Sequence, residues 1–168
     1  DNAAVPTCSK APDWIVDGLF GIGLTRAIEG RDAQLLEYAQ QQVKQGAKIL
    51  ALDVPSGLNA DSGHVVDSKV GKSAILHADH TLTMIGFKPG FYMVDGRDYT
   101  GEIHLNNLDI PAHCLPTPCA VLNELPLFHA MLPRRYHCSH KGSHGSLAII
   151  GGGVGMVGAP LLSARAAL

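Results

Sequence analysis

Two apolar segments that each run into an aspartate constrain the fold of this chain most strongly. Residues 13–20 (DWIVDGLF) and 48–54 (KILALDV) have the composition of buried strands. Between them, apolar residues recur with helical spacing at Leu35, Leu36, Ala39 and Val43. Asp32 is the expected N-cap of this helix, and Gly46 is its expected C-terminal stop. This order of elements predicts a right-handed crossover between parallel strands.

Further strand signals extend this unit into an α/β domain. Residues 76–80 predict a helix or turn, residues 81–87 (TLTMIGF) directly after it predict a third strand, and residues 102–105 predict a short strand at an edge. Ligands of open α/β sheets bind beyond the carboxyl ends of the strands. We therefore expect a site where residues 17–23 and 53–57 meet.

The last third of the chain has a different pattern. Residues 112–133 are rich in proline and histidine and predict a linker, with a short helix within residues 121–131. A buried strand at 147–150, a glycine loop at 151–158 and a helix at 160–168 are expected to follow. We expect that the last 35 residues or so cannot form a domain alone, because they have too little apolar surface to bury.

Composition excludes several classes of protein. The formal net charge is -2, with 13 Lys+Arg against 15 Asp+Glu, whereas nucleic-acid binding requires a basic surface. Hydrophobic residues (A, V, I, L, M, F, W, Y and C) make up 46% of the chain, so a packed core is expected. No apolar run approaches the length of a membrane span. The chain begins Asp1-Asn2 without a signal peptide, and we expect a cytoplasmic protein that is an excised piece or a partial reading frame.

The four cysteines are predicted to be reduced thiols. Cys8, Cys114, Cys119 and Cys138 are too few for a disulfide framework in a chain of this length. The alternative is a zinc site, because histidines surround the last three, including His137 and His140 next to Cys138. The C-x4-C spacing differs from the usual C-x2-C form, so we expect no zinc there.

Three oxygen-bearing side chains stand at the two predicted strand ends. Asp17 follows the first strand, and Asp53 and Ser56 follow the second. Their oxygens suit a hard cation, and the carboxylates also suit acid/base chemistry. Ser56 lacks the G-x-S-x-G context of an acyl-transfer nucleophile, since Val54-Pro55 precedes it.

Two glycine motifs leave alternatives open. Gly153–Gly158 matches G-x-G-x-x-G between a predicted strand and helix, which would suit an NAD-dependent oxidoreductase or an anion-binding loop of another fold. Gly21-Ile22-Gly23 is a weaker motif, because Arg26 stands where the third glycine would be. That arginine either binds a phosphate or is a solvated side chain.

The order and spacing of four segments resemble one known family. They are DGLFGIGLTRAIEG (17–30), ALDVPSGLNADSG (51–63), ADHTLTMIGFKPG (78–90) and DGRDYTGEIHLNNLDIP (95–111). Together they are similar to the second half of the YjeF-type N-terminal domain, the NAD(P)H-hydrate epimerases, which implies a Rossmann-like three-layer αβα fold. Residues 132–168, with SHKGSHG and IIGGGVGMVGA, resemble the start of the ribokinase-like ADP-dependent NAD(P)H-hydrate dehydratases.

The resemblance implies a domain order and an activity. Residues 1–111 would be the C-terminal half of an epimerase domain, 112–131 a linker, and 132–168 the truncated start of a dehydratase domain. The parent would be a bifunctional repair enzyme that epimerises hydrated NADH or NADPH and dehydrates the S epimer with ADP. A non-catalytic binding or scaffold protein of the same fold is the alternative. The expected partner is a small nucleotide, with no nucleic acid or membrane, and homo-oligomerisation is compatible with the family.

The resemblance also implies roles for individual residues. Asp17 and Ser56 match potassium ligands, Asp53 matches a substrate contact, and Ala159 resembles a dehydratase substrate contact. The loop that binds the hydrated nucleotide matches Gly21, Ile22, Gly23, Leu24, Thr25, Arg26 and Ala27. The family usually has threonine where Ile22 stands, so one loop hydroxyl is lost. Asp17 and Asp53 both remain candidates for the catalytic acid/base. The Asn-Asn-Gly-Gly-Asp segment of the family is absent from this chain, and we expect the chain alone to be inactive.

Overall fold

The computed structural model describes residues 10, 12–66, 75–132, 134, 136–140 and 142–167. Two compact units are present, Asp1–Ala120 and Val121–Leu168. Cys8, Lys141 and Leu168 lie outside the described residues. Within the described part of the chain, no helix is both long enough and apolar enough to cross a membrane.

The first unit is built on a parallel sheet of four strands. The strands are β1 (Trp14–Asp17), β2 (Lys48–Leu52), β3 (His80–Met84) and β4 (Glu102–Asn106), in the order β1-β2-β3-β4. Asp17 is paired with Ala51, and Leu52 with Leu82. The predicted α/β class and the four predicted strands are confirmed. Because all four strands are parallel, the residues that follow β1, β2 and β3 emerge at one edge of the sheet.

Helix α1 (Gly30–Lys44) connects β1 to β2. The prediction of Asp32 as its N-cap is wrong: Glu29 is the N-cap, and Asp32 lies in the first turn, where the helix dipole favours a carboxylate. The prediction of Gly46 as the stop is confirmed. Gly46 has a φ of 105°, its N–H donates to the Val43 carbonyl at 2.9 Å, and the N–H of Ala47 donates to the Gln42 carbonyl at 3.1 Å. This pair of bonds requires the left-handed backbone that glycine supplies.

Two apolar clusters form the core of this unit. In the first, Leu36 and Ala39 of α1 pack with Ile49 and Ala51 of β2. The second lies beyond the strand ends, where Val54, Leu58, Ala60 and Ile75 surround Phe91. Phe91 belongs to a short 3₁₀ helix, Pro89–Tyr92, which precedes α2 (Gly96–Tyr99). The second cluster therefore anchors the chain segment that follows Asp53 and Ser56.

Strand β1 is only half buried, so the prediction of a fully buried strand is wrong. Trp14 is 48% exposed and Val16 is 60% exposed, whereas Asp17 is 4% exposed. Alternate residues of a strand point to opposite faces, and α1 covers the face that carries Ile15 and Asp17. The apolar run thus reflects two different environments, one of them at the open face of the sheet.

Residues 76–80 do not form the predicted helix or turn. Residues 75–78 are irregular, and His80 already belongs to β3. Leu76 is 2% exposed because it packs in the first cluster. The apolar residue at position 76 therefore indicates that an irregular segment is buried, and it does not indicate a helix. A 3₁₀ turn, Ala112–Cys114, lies after β4.

The second unit contains short helices and loops. Helix α3 (Leu125–Phe128) and the 3₁₀ turn His129–Met131 confirm the predicted helix within 121–131. Helix α4 (Gly158–Ala167) begins two residues before Pro160. The predicted buried strand at 147–150 is wrong: these residues are irregular, and Ile150 is 99% exposed. Among the described residues of this unit there is no strand, so residues 147–150 have no neighbouring strand with which to form backbone hydrogen bonds.

Candidate active site at the carboxyl edge of the sheet

A buried carboxylate and a buried hydroxyl meet where β1 and β2 end. The Ser56 hydroxyl donates to Oδ1 of Asp17 at 2.6 Å, and the Ser56 N–H donates to Oδ2 at 2.8 Å. The N–H of Leu19 also donates to Oδ1, at 3.3 Å. Asp17 is 4% exposed and Ser56 is fully buried. The structure therefore brings together two residues that are 39 positions apart and that the sequence grouped at one site.

The pair fits a hard cation by its chemistry. Asp17 Oδ1 and Ser56 Oγ are adjacent oxygens, one of them on an ionisable group, and both lie out of bulk water. The hydroxyl oxygen also accepts the N–H of Phe20 at 3.0 Å. This bond ties the start of the following loop to the same pair.

Asp53 is held in an unusual backbone conformation directly after β2. Its φ is 66°, in the left-handed region that aspartate tolerates better than most residues. Its carboxylate Oδ1 accepts from the ammonium group of Lys88 at 2.6 Å, from the N–H of Met84 at 3.2 Å and from the hydroxyl of Thr83 at 3.3 Å. The side chain is thus fixed by the end of β3.

Lys88 lies in a cage of oxygens. Besides Asp53 Oδ1, its ammonium group donates to the hydroxyl of Thr83 at 2.9 Å and to the carbonyl of Met84 at 2.8 Å, and the carbonyl of Gly86 lies 3.1 Å away. The Lys88 side chain is 15% exposed. Between the two carbonyls stands Ile85, whose φ of 67° is rare for a β-branched residue. Lys88 therefore joins two strained strand ends.

The Lys88 contact sets the charge of Asp53. Burial alone raises the pKa of the Asp53 carboxyl group, but the hydrogen bonds from Lys88 and Met84, the positive charge of Lys88 and the hydrogen bond from Thr83 outweigh it. The net result is a pKa below the ordinary value for aspartate. Asp53 is therefore a carboxylate at neutral pH.

The loop after β1 borders both aspartates. Asp53 Oδ2 lies 3.9 Å from the position that a Cβ would take at Gly21. A shallow cleft of about 300 Å³ runs along this loop and is lined by Leu19, Phe20, Gly21, Gly23, Leu24, Thr25 and Arg26. A neighbouring cleft of about 400 Å³ continues past Ala27 to Glu29 and Asp32. The loop thus has an accessible surface beside an anionic side chain.

Residues of this loop have contrasting environments. Thr25 and Arg26 are exposed, Ala27 is half-buried, and Ile22 is 63% exposed. Leu24 is 5% exposed and packs in the core, and its N–H donates to the Gly21 carbonyl at 3.3 Å. Leu24 therefore anchors the loop, while its neighbours remain accessible.

The remaining sequence-predicted residues lie in the second unit or outside this edge. Ala159 is exposed in the first turn of α4. Residues 153–157 of the glycine motif precede that helix and Gly158 begins it, but the strand that a dinucleotide fingerprint requires is absent from the described residues before the motif. Cys114, Cys119 and Cys138 are exposed and form no disulfide. Their lack of zinc stays a prediction.

Lys88 and Thr83 are the site residues that sequence reasoning missed. Lys88 stands within the segment KPG that follows the third strand, 35 residues after Asp53. A lysine in a turn gives no sequence signal of burial. Its position after a strand that neighbours β2 is the only signal that could have placed it near Asp53.

Comparison with known proteins identifies the family. Residues 1–90 match the model of the YjeF-related protein N-terminus. The chain belongs to this family. It is 38% identical over 159 residues to the bifunctional NAD(P)H-hydrate repair enzyme Nnr of Vibrio cholerae, covering 94% of this chain and 30% of the relative. It is 39% identical over 161 residues to the enzyme of the same name from Escherichia coli K12, covering 95% of this chain and 29% of the relative.

A more distant relative gives the same picture. The Nnr protein of Dictyoglomus turgidum is 35% identical over 162 residues, which cover 95% of this chain and 30% of that protein. The chain therefore spans about three tenths of the length of the curated relatives that it matches. The similarity extends through both units of the chain.

Proposed function

We propose that this chain carries the epimerase site of a nicotinamide-nucleotide repair enzyme. The observation that supports this most is the convergence of Asp17, Ser56, Asp53 and Gly21 at one edge of the sheet. The substrate would be NADH or NADPH hydrated at C6 of the nicotinamide ring, and the reaction would interconvert its R and S epimers. The names of the relatives support the substrate class.

The loop after β1 would bind the nucleotide. Gly21 and Gly23 allow close approach to the backbone, and Arg26 offers a cation for a phosphate. Asp53 faces Gly21 and would contact the substrate there. The Ile22 side chain is exposed, so the loop lacks at this position the hydroxyl that a threonine would offer to a ligand.

Asp17 and Ser56 would hold a potassium ion. When bound, the ion would supply positive charge beside an anionic substrate and would order the loop. The chain's own part is the pair of buried oxygens, which the N–H groups of Leu19, Phe20 and Ser56 keep in position. These residues fix the direction in which both oxygens point.

Asp53 is the better candidate for proton transfer. Both oxygens of Asp17 accept hydrogen bonds inside the protein, and that side chain is 4% exposed. The Asp53 side chain is 24% exposed, and its Oδ2 lies near Gly21, a residue that lines the cleft. Epimerisation must break and remake the C6–O bond. The C6 hydroxyl would leave with the bonding electron pair, which the lone pair of the ring nitrogen replaces, and would take a proton from solvent to depart as water. The Asp53 carboxylate would then accept a proton from the water that adds to the other face of C6, which is the role of a general base, and return it to solvent.

The second unit would begin the ADP-dependent dehydratase domain. Under this proposal residues 1–111 belong to the epimerase domain, 112–131 form the linker, and 132–168 begin a ribokinase-like domain in which Ala159 contacts substrate. The similarity to bifunctional relatives through both units supports this division. The proposed location is the cytoplasm, where both nucleotides are used.

A segment exchange tests the proposal. This chain replaces the matching segment of the Escherichia coli relative, and the two epimers of hydrated NADH are followed separately by chromatography. We expect the hybrid to interconvert them in potassium and to dehydrate the S epimer with ADP. Dehydration reports that the hybrid is folded. A hybrid that dehydrates but does not epimerise would contradict the proposal, and one that binds hydrated NADH without turnover would favour a binding protein.

A further inference from the structure

Two histidines and a glutamate meet on the open face of the sheet, at the end opposite the candidate active site. Nδ1 of His80 lies 3.1 Å from Nε2 of His104. Oε2 of Glu102 lies 3.6 Å from the His80 nitrogen, and Oε1 lies 3.7 Å from the His104 nitrogen. Among the described residues, this is the only group of three or more such side chains close enough to share a metal ion.

The sheet itself assembles this group. His80 is the first residue of β3 and is paired with Glu102, and His104, two residues further along β4, is paired with Leu82. The side chains of Glu102 and His104 point to the same face of the sheet, because alternate residues of a strand do so. His80 points to that face as well, because it is paired with Glu102. The ladder between β3 and β4 therefore places all three residues on one face, and no loop contributes a ligand. The Trp14 ring, 5.8 Å from that of His80, borders the group.

The spacing of the three ligand atoms suits a tetrahedral ion. Zinc bonds of about 2.0–2.1 Å to nitrogen and oxygen place neighbouring ligand atoms about 3.3 Å apart. The two imidazole nitrogens lie 3.1 Å apart, and each has a different oxygen of Glu102 at 3.6 or 3.7 Å, so all three separations lie close to that value. Two imidazoles and one carboxylate are ligands that zinc takes, whereas imidazole is a poor ligand for magnesium.

We propose that His80, Glu102 and His104 form a binding site for a zinc-class divalent ion. Three protein ligands leave the fourth position of the ion for water. The ion would link β4, one of the two outer strands of the described sheet, to β3. It would lie at the amino ends of these strands, away from Asp53 and Lys88. The site is therefore separate from the proposed epimerase site and does not depend on that function.

Cobalt spectroscopy on the whole 168-residue chain tests the site. The cysteines are first alkylated, because exposed thiols such as those of Cys114, Cys119 and Cys138 also bind metals. We expect one equivalent of Co²⁺ to give the visible bands of a nitrogen- and oxygen-ligated ion, and zinc to displace it. His104→Gln and His80→Gln should each abolish this spectrum. His64→Gln is the matched control, since His64 is exposed in the same unit, and it should keep the spectrum.

Zinc-dependent stability gives a second readout. An ion that binds only the folded chain raises the midpoint of thermal unfolding in proportion to its occupancy. We expect zinc to raise the midpoint of the alkylated parent and of His64→Gln, and to leave that of His104→Gln unchanged. Circular dichroism confirms that each variant is folded. Equal cobalt spectra for the parent and both histidine variants, or no spectrum for the alkylated parent, would overturn the proposal.

Discussion

The ammonium group of Lys88 lies 2.6 Å from Oδ1 of Asp53, and this contact joins the ends of two neighbouring strands. Asp53 follows β2 with a φ of 66°, and Ile85 follows β3 with a φ of 67°. Both conformations cost free energy and persist only where surrounding contacts hold them. Lys88 supplies those contacts through one carboxylate, one hydroxyl and two carbonyls.

Replacing Lys88 by methionine should destabilise the first unit. The change removes the only cation that contacts the Asp53 carboxylate among the described residues, and hydrogen bonds to charged groups contribute about 1.5–3 kcal/mol each. We expect a loss of that order in the free energy of unfolding, measured by urea denaturation of the whole chain. Lys88→Arg should not restore the free energy of unfolding, because the planar guanidinium group cannot make the same set of contacts with the surrounding oxygens. Lys44→Met, at an exposed site on α1, is the control and should change stability by less than about 0.5 kcal/mol.

The same contact predicts a pH dependence. The pKa of Asp53 is lowered by folding, so its contribution to stability is fully present above the unfolded pKa, about 3.9, and is lost as the pH falls through the lower folded pKa. Urea titrations of the parent and of Asp53→Asn between neutral and acid pH measure it. The difference in unfolding free energy should be constant above about pH 5 and shrink below about pH 4. A constant difference across the whole range would contradict the assigned charge.

Asp17→Asn should weaken the response to potassium. The amide keeps the shape of the side chain but removes the charge that attracts the ion. In the hybrid enzyme, we expect the potassium concentration for half-maximal epimerisation to rise by about tenfold, which corresponds to about 1.4 kcal/mol. Glu37→Gln, on the exposed face of α1, is the matched control. An unchanged potassium response in Asp17→Asn would show that the ion binds elsewhere.

Gly90 has a packing role that its sequence context does not show. A Cβ at this position would lie 2.5 Å from the carbonyl oxygens of both Asn59 and Ala60. Gly90→Ala should therefore destabilise the chain by roughly 1–3 kcal/mol, because backbone must move to admit the methyl group. Gly86→Ala is the control, since a Cβ there meets nothing within 4 Å. Thermal unfolding of the two variants, compared directly, checks the difference.

Much of the fold was predictable because its signals are local. An apolar run that ends at an aspartate marked β1 and β2, and Gly46 marked the end of α1. The apolar run at 147–150 is followed by glycines, has no neighbouring strand among the described residues of its unit, and is not a strand. An apolar run indicates that a segment tends to be buried. Whether it forms a strand depends on whether the fold places a neighbouring strand beside it.

The candidate site was predictable only in part. Asp17 and Ser56 could be grouped, because parallel strands end at one edge. The contact between Lys88 and Asp53 depends on two left-handed residues, Asp53 and Ile85, which no periodicity reveals. Side chains that approach through irregular turns are therefore the part of a site that sequence reasoning misses.

The rate of epimer interconversion in the hybrid enzyme that carries Asp53→Asn tests the central claim most directly. Loss of a general acid or base typically costs a factor of about 10² to 10⁴, and we expect a decrease in that range in saturating potassium. ADP-dependent dehydration of the S epimer should remain at the level of the Glu37→Gln control, which shows that the hybrid is intact. An epimerisation rate in Asp53→Asn equal to that of the control would contradict the account.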